Sequence, residues 1–475
     1  MRVLIIVLIG QAMATMDGSI LVVAAPSLAS DLRVSPAELQ LVLAMYTLAF
    51  AALVVTGARL GDVLGHRRAF RLGLAGFTAA SLMAGAAPSA ALLIASRTCQ
   101  GAAAAVMTPQ VLSIIQLQFE GERRSRAIGA YSLILAVGVA VGQVLGGLIV
   151  GVHLGVASWR LALLINVPVG CLLLLVARRG LPARAAGVRR RLDLTGVVLL
   201  AATLLLLVAP LTLGRDEGWP GWVWISLTAS VVASTAFVAW ERRVGARGAD
   251  PLFDLDVLRN PGVVAGVTSV LLGMAAYAGF VVTLTLHLQD ALGFTPLQAG
   301  ATFAIYATGF ATASVTWTRA STRARRWLPV LGPLVLGATL LGVGLIADTG
   351  SWPVALTAPL LFFGGVGHAC SFSPLASHLT AAVRPDQAGD VSGLVLTADL
   401  VGIVLGIAGF VGIYLDAAPH GSGHALAFTT RVLAGALAIT GLCGWRALAV
   451  RRARPTSDDD ALGSGTSPHD PVLQR

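Results

Sequence analysis

Fourteen times between residues 3 and 448 the chain runs through an apolar stretch of roughly 20 residues closed by charged or turn-forming punctuation. Such a stretch has one stable form in a bilayer. No water is there to accept the backbone polar groups, so they must pair within the segment, and an α-helix does this while crossing about 30 Å of hydrocarbon. Spans are expected near 3–25, 39–58, 69–87, 91–117, 127–150, 161–177, 193–213, 222–240, 262–288, 297–318, 327–347, 353–377, 390–414 and 425–448. With 56% hydrophobic and 12% charged residues, the chain reads as an all-α polytopic membrane protein of 14 transmembrane helices.

Charge placement gives the expected orientation. All 33 basic residues are arginine, and the net charge of +10 is gathered in short clusters between spans: GARLGDVLGHRRAF, EGERRSRA, ARRGLPARAAGVRRRLD, ERRVGARGADPLFDLDVLRN and TRASTRARRW. These alternate with arginine-poor connections such as GRDEGWPGW and LDAAPHGSGHA, where only Arg33, Arg160 and Arg215 fall. Positive-inside retention accounts for that alternation and puts both termini in the cytoplasm of a bacterial-type inner or plasma membrane. Basic clusters split among loops do not make a nucleic-acid surface, so no nucleic-acid partner is expected. The opening MRVLIIVLIGQAMA has the look of a secretory signal, but its apolar character continues to Pro26, and a retained first span is expected. Residues 451–475, polar with a DDD run, are expected to form a disordered cytoplasmic tail.

Aromatic and sulfur residues read blandly. Trp159, Trp219, Trp222, Trp224 and Trp352 fall near the expected outer ends of spans, where interfacial anchoring favours an amphipathic ring. Cys99, Cys171, Cys370 and Cys443 have no paired-ligand spacing and read as small core residues. His287, His368 and His378 match no metal set and are left unassigned. Neither a nucleophile elbow nor a phosphate-cradling loop is present, so hydrolase and ATP-driven chemistry have no residue to stand on.

The informative residues are polar groups inside spans. In MATMDGSILVVAAP, Asp17 sits mid-span, where a carboxylate costs about 2.5–3.5 kcal/mol on an insertion scale. Such an acid is expected to face a cavity or a partner, and desolvation of its charged form suits it to carry a proton. From the span limits Asp17 lies about 12 Å and Arg97 about 9 Å below the outer boundary, so the two are expected to pair at one depth. That pair serves either proton coupling or purely structural attachment of helices 1 and 4. Arg97, Gly101, Ala104 and Thr108 recur at helical spacing as a small and polar face suited to a cavity. Asp399 shares a stripe with Ser392, Gly402 and Gly406, either as a second functional acid or as a group hydrogen-bonded by a close neighbour helix. Gly138, Gly142 and Gly146 bare one face of helix 5 for close packing.

Several of these stretches together resemble one family, the fourteen-helix drug:proton antiporters of the major facilitator superfamily. MDGSILVVAAP looks like its first-helix signature, with Asp17 and Pro26 in place and Val22 where asparagine is usual. ARLGDVLGHRR resembles the superfamily loop motif through Gly61, Asp62, Gly65, Arg67 and Arg68, with Ala58 for a glycine and Val63 for an arginine. SRTCQGAAAAVMTP, carrying Arg97, Gln100, Gly101 and Pro109, is similar to the fourth-helix motif. GVAVGQVLGGL, with Gly138, Gly142, Gly146 and Gly147, is similar to the fifth-helix antiporter motif, Gln143 standing where proline is usual. SWRLALLINVPVG, LHLQDALGFTPLQAG and FFGGVGHACSFSPL also resemble family segments.

The resemblance implies the major facilitator fold, two six-helix bundles plus two inserted helices. It divides the chain into an N-terminal bundle (1–177), an inserted pair with basic linkers (178–250), a C-terminal bundle (251–450) and the tail (451–475). It implies no enzyme activity, no cofactor and no metal, with the proton gradient as energy source, and export of a lipophilic small molecule by a monomer in the lipid bilayer. Asp17, Arg97, Gln100 and Asp399 are the expected coupling and cavity residues, and Gly61, Asp62, Gly65, Arg67 and Arg68 the expected inner gate. A proton-coupled uptake symporter and a non-transporting sensor or scaffold are the alternatives.

Overall fold

A computed structural model of the chain describes residues 2–150, 158–180, 193–214, 217–248, 251–253, 255–381, 383 and 388–449. The tail and most of the ARRGLPARAAGVRRRLD linker lie outside the described residues. The first six rods are α1 (Arg2–Leu32), α2 (Pro36–Leu64), α3 (His66–Gly85), α4 (Ala90–Gln118), α5 (Gly121–Val150) and a rod broken into α6 (Ser158–Leu164) and α7 (Asn166–Gly180). Then come α8 (Leu194–Leu213) and α9 (Gly221–Ala246). The last six are α10 (Pro261–Leu286), α11 (Pro296–Thr316), α12 (Thr322–Asp348), α13 (Val354–Ala381), α14 (Ala388–Ala417) and α15 (Ser422–Ala449). Fourteen rods result, all helical among the described residues, and 11 of them are by themselves long and apolar enough to cross a bilayer.

The helices overrun the apolar windows because polar caps and not hydropathy end them. Ser35 and Glu38 form a reciprocal capping box ahead of α2, with Pro36 at the first helical position, and Thr295, Pro296 and Gln298 repeat that arrangement at α11. The first rod passes straight through Pro26 to Leu32, seven residues beyond its expected end at 25. Pro168 has the opposite effect. Its missing N–H falls where Leu164 would receive a helical bond, and the helix is interrupted at Ile165 between α6 and α7.

Within the first six rods α1 packs on α5, and α2 and α3 pack on α4; within the last six, α10 packs on α14 and α15, α12 on α13 and α15, and α11 on α13. The halves meet through α5 against α11 and α2 against α14. The inserted α8 lies against both α2 and α14, so the extra pair is seated on that second seam. Its companion α9 fully buries only Val223, Ser230 and Glu241 among its described residues and leaves Trp222, Trp224, Ile225, Val231 and Val232 exposed.

The glycines of α5 provide the close packing expected of them. A β-carbon at Gly138 would meet the Thr15 side chain at 3.0 Å, one at Gly142 the Met16 carbonyl at 2.7 Å, and one at Gly146 the Ile20 carbonyl at 2.8 Å. Gly147 instead faces α11, where a β-carbon would lie 2.6 Å from the Pro296 carbonyl. One face therefore serves α1 and the adjoining position serves the other half. Gly142→Leu is expected to destabilise the protein by at least 1–3 kcal/mol, since backbone cannot yield as a side-chain tip can. A thermal melt in detergent checks this, with Gly409→Leu, where a β-carbon meets nothing within 4 Å, expected to stay near the parent.

Two expectations change. Trp159 is no interfacial anchor: it is fully buried, and its ring N–H donates to Asp31 at 2.9 Å. The guanidinium of Arg160 stacks 4.4 Å from the centre of that ring and donates to the Ala87 carbonyl at 2.6 Å, so the pair laces three connections together. Trp219, Trp222 and Trp224 do remain exposed. Cys99 and Cys171 are exposed and Cys370 and Cys443 half-buried, so none is a core residue; a thiol is apolar enough to sit against lipid.

Candidate functional site

Asp17 stands about 22 Å from the first residue of α1, at the middle of that rod. Two glycines bring α2 and α4 against each other beside it: a β-carbon at Gly101 would overlap the Tyr46 carbonyl, and one at Gly57 the Ala105 carbonyl. That contact slides the Tyr46 ring beneath Arg97, whose guanidinium carbon lies 4.6 Å from the ring centre. The Tyr46 hydroxyl donates to the Ala14 carbonyl at 2.9 Å, fastening α2 to α1 one turn from Asp17.

Within this frame Arg97 forms an ion pair with Oδ2 of Asp17. Oδ1 accepts two further bonds, from Gln100 at 2.8 Å and from Asn166 at 2.7 Å. Gln100 accepts from Arg97 at 2.7 Å and donates to Ser81 Oγ at 2.8 Å. Four rods thus contribute to one neutral knot: α1, α3, α4 and the break before α7. Both charged side chains are sealed, 0% exposed for Asp17 and 1% for Arg97. Taking two charges from water costs several kcal/mol each, which the pairing and the added hydrogen bonds must offset. One group is left over: Nε of Arg97 is buried without a hydrogen-bond partner.

The matching depths of Asp17 and Arg97 are therefore realised as contact, and Gln100 joins them. The α4 face is a different matter. Arg97, Gly101, Ala104 and Thr108 are all buried and pack against α2 and its neighbours, so this face lines no cavity. Small residues bring helices together as readily as they leave space, and here a backbone fills the groove. Asn166, Ser81 and Tyr46 complete the knot without having been singled out. Asn166 had a signal, an amide two residues before Pro168 in an apolar span, where the broken helix turns a side chain inward.

Asp399 lies apart, on α14 of the other half. It is half-buried and among the described residues makes no hydrogen bond or ion pair. Gly402 and Gly406 of its stripe press on the Leu271 and Ala275 carbonyls of α10, so the stripe does serve helix approach, yet no hydrogen bond to Asp399 comes with it.

At the arginine-rich end, Gly65 takes φ 84°, a left-handed conformation that favours glycine, and turns α2 into α3. Gln110 of α4 ties that turn down, donating to the Gly57 carbonyl at 2.8 Å and meeting His66 Nδ1 at 2.8 Å. Gly61 is bare because the Gln110 amide passes over it. Arg67 donates to the Arg178 carbonyl at the end of α7, inside its own half, where the helix dipole favours a cation. Arg68 is exposed, and the side chain of Asp62 lies outside the described residues. The reach beyond this half comes from Arg59, which donates to the Pro251 carbonyl just ahead of the last six rods. At the arginine-poor end Gln289 donates to the Val23 carbonyl at 3.1 Å, joining α1 to the π-helical turn His287–Ala291.

No group of three or more metal-ligating side chains occurs among the described residues. Comparison with known proteins agrees with this architecture. The sequence profile of the Major Facilitator Superfamily matches residues 7–407. The chain is 32% identical over 408 residues to a probable actinorhodin transporter of Streptomyces coelicolor, covering 85% of this chain and 70% of that protein. It is 37% identical over 407 residues to a cephamycin export protein of Amycolatopsis lactamdurans, covering 82% and 80%. The crystal structure of a D-xylose-proton symporter superposes with TM-score 0.66 over 94% of this chain and 97% of that one; at 12% identity the likeness is one of fold.

Proposed function

The chain belongs to the Major Facilitator Superfamily, and from that premise we propose that it exports a lipophilic small molecule, a drug or natural product, in exchange for protons. It is a polytopic membrane transporter and not an enzyme. The single observation that carries the coupling is the Asp17 knot, a carboxylate bound mid-membrane by one arginine and two amides. Residues 1–177 and 251–450 act as two bundles rocking about a central cleft, with 178–250 inserted and both termini cytoplasmic. In the enclosed arrangement Asp17 is proton-free and satisfied. When the halves rock, α1, tied to the other half by the bond from Gln289 to the Val23 carbonyl, is drawn along α4, the pairing with Arg97 loosens, and the carboxylate takes a proton from the newly open side. Return to the sealed knot expels it. The two relatives, named for actinorhodin transport and cephamycin export, support export of a small-molecule cargo.

Complete enclosure also favours a second reading, a fixed polar clamp that joins α1, α4 and α7 and never titrates. Proteoliposomes decide between them. On the exchange reading, substrate added without a gradient releases protons, and an imposed pH gradient drives substrate against it. If Asp17 is only a clamp, both signals persist in a folded Asp17→Asn variant, whereas the exchange reading loses both. Substrate moving together with protons when the gradient is reversed identifies a symporter instead.

A further inference from the structure

The inserted pair carries a buried acid of its own, and a second carboxylate lies against it. Glu241, at the arginine-rich end of α9, is 1% exposed. Its Oε2 accepts from the Phe253 N–H at 2.8 Å, but its Oε1 is buried with no donor to meet it. A β-carbon on Gly196 would stand 2.5 Å from that oxygen and 2.5 Å from Oδ2 of Asp193. A glycine of α8 thus lets the two acids come together, and their side chains hydrogen-bond to each other. Asp193 has donors of its own: it caps α8 by accepting from the Gly196 N–H at 2.9 Å, and the Trp240 ring N–H reaches Oδ1 at 2.9 Å. It is half-buried, so the pair has an opening to solvent.

Two carboxylates in contact do not both stay ionised. The helix N-terminus and the two N–H groups favour the charge on Asp193, so the shared proton belongs on Glu241, donated from Oε1 to Oδ2. Burial, with Asp193 beside it, pushes the Glu241 carboxyl up to about 7. No cation among the described residues offsets this: Arg242 and Arg243 of α9 are exposed, Asp256 and Arg259 of the following turn pair with each other at 3.3 Å, and Arg59 of α2 donates to the Pro251 carbonyl. What Glu241 holds is a strap, residues 251–253. Leu252 and Phe253 are buried; the Phe253 ring meets Phe237 of α9 edge-on at 6.4 Å and lies 3.6 Å from where a β-carbon on Gly393 of α14 would stand. With Arg59 on Pro251, the strap bridges α9, α14 and α2 at one end of the seam that seats the inserted pair. An ionised Glu241, buried beside a second negative charge, is driven out to water and withdraws the acceptor from the Phe253 N–H.

We propose that Asp193 and Glu241 form a proton-binding site separate from Asp17, whose one shared proton latches the 251–253 strap across the arginine-rich end of the seam between α2 and α14. Because the raised group is an acid, the latch is at full strength below the usual glutamate range and is lost as pH rises through about 7. The transport reading gives this motion its purpose, but the test does not depend on it. Amide hydrogen exchange of the full-length chain in nanodiscs, corrected for the base-catalysed rate of an unprotected amide, is read over the strap at about pH 6 and about pH 8. In the parent, protection of the strap is expected to fall at least tenfold between the two, while the amides of α4 keep theirs. Glu241→Gln still accepts from Phe253 and donates its amide to Asp193, and Asp193→Asn removes the repulsion, so in both variants the strap should stay within about twofold. An unchanged strap in the parent, a fall shared equally by α4, or a folded Glu241→Gln variant that loosens as the parent does, overturns the latch. Should Glu241→Gln fail to fold, Asp193→Asn is held to the same threshold. A parent that unlatches with pH yet moves no substrate keeps the proton site and overturns the transport reading.

Discussion

Asp17→Asn is expected to yield a folded, membrane-inserted protein whose substrate-triggered proton release is abolished and whose gradient-driven transport falls at least 100-fold. Folding survives because the amide oxygen still accepts from Gln100 or Asn166, and because Arg97 keeps the Gln100 carbonyl and the Tyr46 ring. Transport fails because an amide cannot change protonation, and with one titrating group removed nothing couples the two fluxes through this knot. Proton release in weakly buffered proteoliposomes reads it directly. A variant that still releases protons and concentrates substrate assigns the coupling elsewhere and leaves Asp17 as a clamp.

Arg97→Ala is expected to be worse for the fold than Asp17→Asn. It strands the Asp17 carboxylate in a sealed site, and breaking a buried pair from one side costs about 3–5 kcal/mol. It also empties the space above Tyr46 and takes one of the bonds to Gln100. The double variant Asp17→Asn, Arg97→Ala removes the stranded charge and should recover part of the loss, a coupling of about 0.5–3 kcal/mol in a double-mutant cycle. Thermal melts of the four proteins measure it. Strict additivity would mean that the two groups do not depend on each other, contrary to the ion pair.

Much of the site was legible because charge in hydrocarbon is conspicuous. Asp17, Arg97 and Asp399 stand out singly against apolar spans, and counting residues from the span ends was enough to bring Asp17 and Arg97 to one level. Gln100 came only through the fourth-helix resemblance. Asn166, Ser81, Tyr46 and Gln110 are neutral polar residues, which occur throughout membrane helices as local bonds to the preceding turn. Ser81 itself makes one such bond, to the Phe77 carbonyl at 2.8 Å, while also serving Gln100. Nothing in its sequence position separates the two roles. His368 and Tyr306 lie 62 residues apart and meet only through Gly309 and Gly365, which look like any other glycines in the chain.

The number of helices, their approximate limits and the depth of each polar group were determined by the sequence alone, because hydrocarbon imposes the same demand on every segment whatever its neighbours. Which face each helix turns inward was decided by tertiary structure. Arg97, Gly101, Ala104 and Thr108 had the composition of a cavity wall, yet all four are buried and the α2 backbone lies against Gly101; Trp159 had the position of an anchor, yet it lies in the core. A helix face becomes wall, contact or cleft according to whether another surface matches it to within the width of a methyl group, and that match belongs to two segments at once.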